Sequence, residues 1–160
     1  MEDLLKRISE YQLFNFLLSG TVLAFLITKT TPIHILNDNI LIAIFIYYCL
    51  GLVISRVGSL VIEPLFKKLH IVSYVPYDKY LKASKQDPKI DVLSQENNMY
   101  RTLVGMFLVY AFVYVICWLW PNVLEQKWLP LVVASIGIVL FSLSYRKQTK
   151  YITTRANKGR

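Results

Sequence analysis

Four stretches of this chain carry no Asp, Glu, Lys or Arg: Tyr11 to Thr28, Asn39 to Ser55, Thr102 to Trp120 and Trp128 to Tyr145. Each is close to the length a helix needs to cross a hydrocarbon core of roughly 30 Å. A backbone in lipid must satisfy its polar groups within its own segment, so runs of this kind are helices rather than strands. One buried core helix could imitate one run. Four runs filling about half of a 160-residue chain that is 55% apolar point to a membrane bundle. The expected architecture is all-α, with four transmembrane helices over about 11–29, 39–60, 102–120 and 128–145. A helical segment over 64–101, a short segment over 1–10 and a basic tail over 146–160 form the polar side. The start "MEDLLKRISE" mixes acid with base, and no small-residue cleavage site follows "LLSGTVLAF". The first run is therefore read as a permanent span rather than a signal peptide.

Charge placement gives the expected orientation. Sixteen of the eighteen basic residues fall before span one, between Arg56 and Arg101, or after Tyr145. Only Lys29 and Lys127 lie in the other two connections. The positive-inside rule then puts both termini and the middle segment in the cytoplasm. Trp120 and Trp128 flank "PNVLEQK" at the level of an outer aromatic belt, and Tyr11 and Tyr145 suit the inner one. The outer connections are too short for a folded domain, so recognition is expected on the cytoplasmic side or within the bundle. Cys49 and Cys117 lie at different depths and read as free, buried thiols.

The middle segment has a helix-start signature. Asp87 can cap, Pro88 suits the first position, and Asp91 favours the positive end of the dipole. No Gly or Pro interrupts the chain from there to Gly105, so one helix is expected from about Pro88 to Trp120. At 1.5 Å per residue it outruns the bilayer and projects into the cytoplasm. Pro64 is expected to break or kink the second span. "LFKKLH" suits the interface, and "YDKYLKAS" a further short helix.

Arg56 and Glu63 raise the sharper question. Seven residues apart on a helix, they share a face with Ser59 between them. Gly51, Ser55 and Ser59 repeat every fourth residue, the small-residue pattern that lets helices approach closely in lipid. Antiparallel packing brings Arg101 and Arg146 to the same inner boundary, with Asn97, Asn98, Gln148 and Tyr151, and with Arg7, Glu10 and Asn15 from span one. These residues are expected to form a polar ring. There Glu63 pairs with one arginine and leaves a positive site for an anion, a lipid phosphate or an acidic protein surface. Two plainer readings stand beside it: arginines that snorkel to headgroups and fix depth, and a purely structural salt bridge. Tyr110, Tyr114 and Trp118 form a stripe whose expected role is packing or lipid contact. Lys67, Lys68, Lys147, Lys150 and Arg155 are expected to bind anionic lipid at the membrane surface. Neither the tail nor the loop has a nucleic-acid module, so direct nucleic-acid binding is not expected.

No phosphate loop, carboxylate pair, nucleophile elbow or HExxH occurs, and mid-span ionisable residues are almost absent. The expectation is no enzyme, no cofactor and no metal. With "SRVGSLVIEPLFKK", "QENNMYRT" and "SYRKQTKY" as its most family-like stretches, the plan resembles small bacterial tetraspan proteins of anti-phage defence systems, such as the membrane subunit of Kiwa. The resemblance is one of layout and carries over no site. It implies an oligomeric inner-membrane component that works with a cytoplasmic protein partner and senses or compromises the membrane. Two other readings stay open: a passive scaffold recruiting a cytoplasmic partner, and a lipid- or solute-handling protein.

Overall fold

The computed structural model describes residues 2–120 and 128–158, with side chains from Tyr11 onward. Four of its helices are long and apolar enough to cross a membrane. Helix α1 runs Glu2–Thr30, and α2 runs Ile40–Val57. A π-helical turn, Gly58–Ile62, joins α2 to the short α3, Glu63–Lys68. Then come α4, Tyr77–Gln86, α5, Lys89–Leu119, and α6, Leu129–Lys158. No strand occurs among the described residues. The expected outer turn over 121–127 lies outside them.

Helix α5 is the axis. It packs against α1, α2, the π turn, α4 and α6. Its buried face carries Leu103, Met106, Tyr110 and Tyr114, the last two almost fully enclosed. The Tyr110 hydroxyl donates to Thr30 Oγ1 at 3.1 Å, tying the far end of α1 to the span of α5. Leu23, Ile27, Ile54 and Ala134 complete the central cluster. The outward faces are inverted relative to a water-soluble protein. Ile40, Leu41 and Phe45 on α2, Phe112 on α5, and Ile136 on α6 are all more than 60% exposed. Stripes of this kind are what hydrocarbon would cover.

The second span departs from its expected form. It continues past residue 60 to Lys68, and Pro64 does not end it. The π turn explains why. Proline has no N–H and its ring crowds the carbonyl four residues back, here Leu60, which lies inside the turn. Widening the helix there accommodates Pro64, with the Glu63 N–H reaching the Gly58 carbonyl. The chain stops only after Lys68. The Ile71 and His70 N–H groups reach the Phe66 and Lys67 carbonyls at 2.9 and 3.1 Å, with His70 left-handed at φ 57°. That is a Schellman ending with His in the place glycine usually takes.

Beyond the apolar run, α5 and α6 continue into a polar cap closed by α4. Helix α5 has 31 residues, about 46 Å, so roughly 15 Å projects past the hydrocarbon. Its start is set by Asp87, whose carboxylate accepts from the Lys89 N–H at 3.1 Å. Ala83, Ile90, Ile152 and Ala156 make a small apolar core where α4, α5 and α6 meet.

Candidate functional site

The π turn decides the chemistry at the neck between spans and cap. An extra residue in one helical turn rotates everything after it by roughly 100°. Arg56 and Glu63 therefore do not share a face as the heptad spacing predicts. Arg56 is exposed beside α1. Glu63 turns toward α5 and pairs with Arg101 through Oε2, while Oε1 takes Lys67 Nζ at 2.6 Å. Lys67 in turn stands 4.7 Å over the Tyr74 ring, and the Tyr74 and Tyr145 hydroxyls are hydrogen-bonded. Burial holds the Tyr74 phenol above its ordinary pKa, more than that hydrogen bond lowers it. It is a neutral hydrogen-bonding group at physiological pH.

A second set of polar contacts locks α5 to α6 one to two turns further into the cap. Thr149 donates to Asn97 Oδ1 at 3.1 Å, both buried. Gln148 donates to Glu96 Oε2 at 2.6 Å and to the Leu93 carbonyl at 3.3 Å. At the cap's edge, Arg155 donates to Asp87 at 2.8 Å. That hydrogen bond holds the Asp87 carboxyl below its ordinary value. Tyr80 on α4 reaches Ser94 at 2.9 Å, and burial raises its phenol.

The expected ring thus separates into three places. Glu63 and Arg101 form the ion pair. Asn97 and Gln148 are internal struts. Asn98, exposed, lines cavities on both sides of Arg101. Arg146 is exposed, and no contact joins it to Glu63 or Arg101 among the described residues. Tyr151 faces the cap, with Lys147 5.8 Å from its ring. Lys68 and Lys150 are exposed. Arg155 and Lys67 are engaged in ion pairs rather than free for lipid. The side chains of Arg7 and Glu10 lie outside the described set.

The small-residue strip is also redistributed. A Cβ on Gly51 would overlap the Phe16 carbonyl, and one on Gly20 the Tyr47 carbonyl, so α1 and α2 meet backbone to backbone. The contact with α5 runs through Gly58, not Ser59. A Cβ on Gly58 would stand 3.1 Å from the Arg101 carbonyl, and one on Gly105 3.2 Å from the Gly58 nitrogen. Ser55 lines a cavity, and Ser59 donates to the Arg56 carbonyl at 3.0 Å. Gly20 and Gly105 stand in apolar runs and Gly58 just after one, but only the partner helix gives them a role.

Two cavities stand out. One, about 320 Å³, lies between α1, α2 and α5 and is lined by Tyr11, Asn15, Ser55, Arg56, Asn98 and Arg101 among others. The other, about 620 Å³, is a groove of the cap with Ala83, Ile90 and Leu93 in its floor and Tyr151 and Arg155 at its edge. Among the described residues no group of three His, Cys, Asp or Glu could hold a metal ion. Compared with known protein families, curated proteins and solved structures, the chain matches none of them.

Proposed function

We propose that this chain is a non-enzymatic membrane relay, in which a protein partner held at the cap alters the packing of the spans. The observation that carries this reading is the continuity of α5 and α6. Each is a single helix from its apolar run into the polar cap, and the two are cross-linked by hydrogen bonds just outside that run. A displacement in the cap therefore has a stiff path to the spans. The positive-inside pattern supports a cytoplasmic cap, and the layout resemblance supports a bacterial inner membrane. The layout resemblance makes anti-phage defence the setting and an oligomer the working form.

The test is co-purification at native expression, followed by membrane-potential measurement during phage challenge. A relay brings down a soluble companion, loses it when the cap groove is filled from its exposed wall by Thr154→Trp, and depolarises cells on challenge. Glu63→Gln, at the neck, should keep the companion and change the depolarisation. A passive scaffold keeps its companion in Glu63→Gln and shows no change in membrane behaviour, which would sink the relay.

A further inference from the structure

The cavity between α1, α2 and α5 combines three properties that the relay reading does not use. The first is depth. Tyr11 opens the first span, Arg56 lies in the last turn of α2, and Arg101 immediately precedes the uncharged run of α5. All three mark the boundary between hydrocarbon and headgroups. The second is charge. Among the described residues, two guanidiniums line the cavity, with carboxamides and hydroxyls around them and no carboxylate. Glu63 reaches Arg101 from the other side, through a terminal nitrogen.

The third is unmet hydrogen bonding. Arg101 Nε is buried and has no acceptor, and Asn15 Oδ1 is buried and has no donor. Asn15 is 4% exposed. A buried polar atom left unpaired is costly, and two that belong to residues lining one cavity call for an occupant. The occupant must offer an anionic acceptor to Arg101 Nε and Arg56, and an N–H or O–H to Asn15. An oxyanion that carries no proton meets only the first demand. At about 320 Å³ the cavity is at the small end of ligand pockets, which suits a headgroup rather than a whole lipid. Exposed Leu52 on its rim offers an apolar track for acyl chains.

We infer that this cavity binds a phosphate ester bearing a hydrogen-bond donor. Arg56 and Arg101 take the phosphate, and Asn15 takes a hydroxyl or ammonium, as in a phosphatidylglycerol or phosphatidylethanolamine headgroup. The site stands whether or not the cap relays anything, and its test involves no partner.

The experiment is lipid titration of the delipidated full chain in detergent, read by native mass spectrometry. Phosphatidylglycerol, phosphatidylethanolamine and phosphatidylcholine are compared, with glycerol 3-phosphate and inorganic phosphate as soluble probes. Choline carries the same phosphate but no N–H or O–H, so the first two lipids should bind about tenfold tighter than phosphatidylcholine, one per chain. Arg56→Gln removes an exposed charge that folding does not need, and should weaken phosphatidylglycerol binding about tenfold. Asn15→Leu should abolish the preference over phosphatidylcholine. Should that variant fail to fold, the wild-type preference and Arg56→Gln still decide. Glycerol 3-phosphate competing at the lipid's affinity would support the site and move its source from the bilayer to the cytosol. Equal binding of phosphatidylcholine and phosphatidylglycerol overturns the inference. So does Arg56→Gln binding like wild type.

Discussion

Helices α1 and α2 meet differently from α5 and α6, although both pairs are antiparallel neighbours in one bundle. The first pair has almost no side chain between its backbones at the crossing. Gly20 sits on the Tyr47 carbonyl and Gly51 on the Phe16 carbonyl. The second pair is held by rings and polar groups. Phe107 stacks on Phe141 at 5.8 Å and Tyr100 on Phe141 at 6.4 Å, and Asn97, Thr149, Glu96 and Gln148 hydrogen-bond beyond them. In lipid, apolar side chains gain little by leaving hydrocarbon, so helices associate by close packing or by hydrogen bonds. The α1–α2 pair uses close packing within the apolar zone, and the α5–α6 pair adds hydrogen bonds where its helices emerge. The first kind of contact is rigid but intolerant of bulk. The second has parts that can exchange partners, which suits a neck that must transmit change.

The largest test of that contrast puts side chains at the crossings. Gly20→Leu or Gly51→Leu must push α1 off α2, because the overlapping atom is backbone and cannot rotate away. A loss of about 3 kcal/mol or more is expected, seen as a collapse of the thermal midpoint in detergent. Gly137→Ala meets only the Phe107 ring, with the nearest atom at 2.6 Å. A ring can shift, so about 1–2 kcal/mol is expected there. Equal losses at both sites would mean that the two crossings do not differ in kind.

Next in size is the ion pair. Glu63→Ala strands Arg101, whose side chain is only 15% exposed and whose Nε is already unpaired. About 2 kcal/mol is expected, below the cost at a fully buried pair because Glu63 is 22% exposed and water reaches it. The double variant Glu63→Ala, Arg101→Ala should recover part of this. No recovery would mean that the pair does not act as a unit. In the α5–α6 struts, Thr149→Val removes a hydroxyl that Asn97 Oδ1, at 3.1 Å, shares with the Tyr145 carbonyl, at 2.8 Å, and leaves Asn97 Oδ1 without that donor. About 1 kcal/mol is expected, checked by the same melts.

The architecture was legible in the sequence because length and absence of charge are properties of one segment at a time. Four runs, four spanning helices, and a long α5 begun at Asp87 and Pro88 follow from counting and capping. The neck was less legible. Placing Arg56 and Glu63 on one face assumed 3.6 residues per turn throughout, and the π turn beside Pro64 breaks that phase. Ser59 failed as a packing residue for the same reason, and Gly58 took its place on α5. Asn15 was noted only as lying at the right level. That its Oδ1 would be buried without a donor depends on α2 and α5 together, and no local pattern encodes it.

Smaller effects belong to the edges of the cap. His70 ends α3 in the left-handed region at φ 57°. Glycine adopts that conformation without a Cβ clash worth about 1–2 kcal/mol, but gives back about 0.5–1 kcal/mol in unfolded-chain entropy. His70→Gly should therefore stabilise the protein by about 0.5 kcal/mol. A destabilised variant would show that the His70 side chain holds something the Schellman ending alone does not explain.

The smallest effect is the most selective. Asp87 has two duties: it accepts the Lys89 N–H that starts α5, and it pairs with Arg155 across the cap. Asp87→Asn keeps an acceptor for the first duty and removes the charge for the second, since Asn caps helices as well as Asp does. The difference between wild type and variant thus isolates the ion pair. Because the folded carboxyl titrates below its ordinary 3.8, the folded state binds its proton less readily than the unfolded chain. The pair's contribution is then fully present above that value and fades as pH falls through the lower folded one. Wild type should melt slightly above Asp87→Asn at pH 7, and the two curves should converge as pH falls below about 3.8 and merge only past the lower folded value. A gap that persists in acid would assign the effect to capping geometry rather than charge. The hydrogen-bonded edge of the cap would then owe its order to α5 alone, not to the grip of α6.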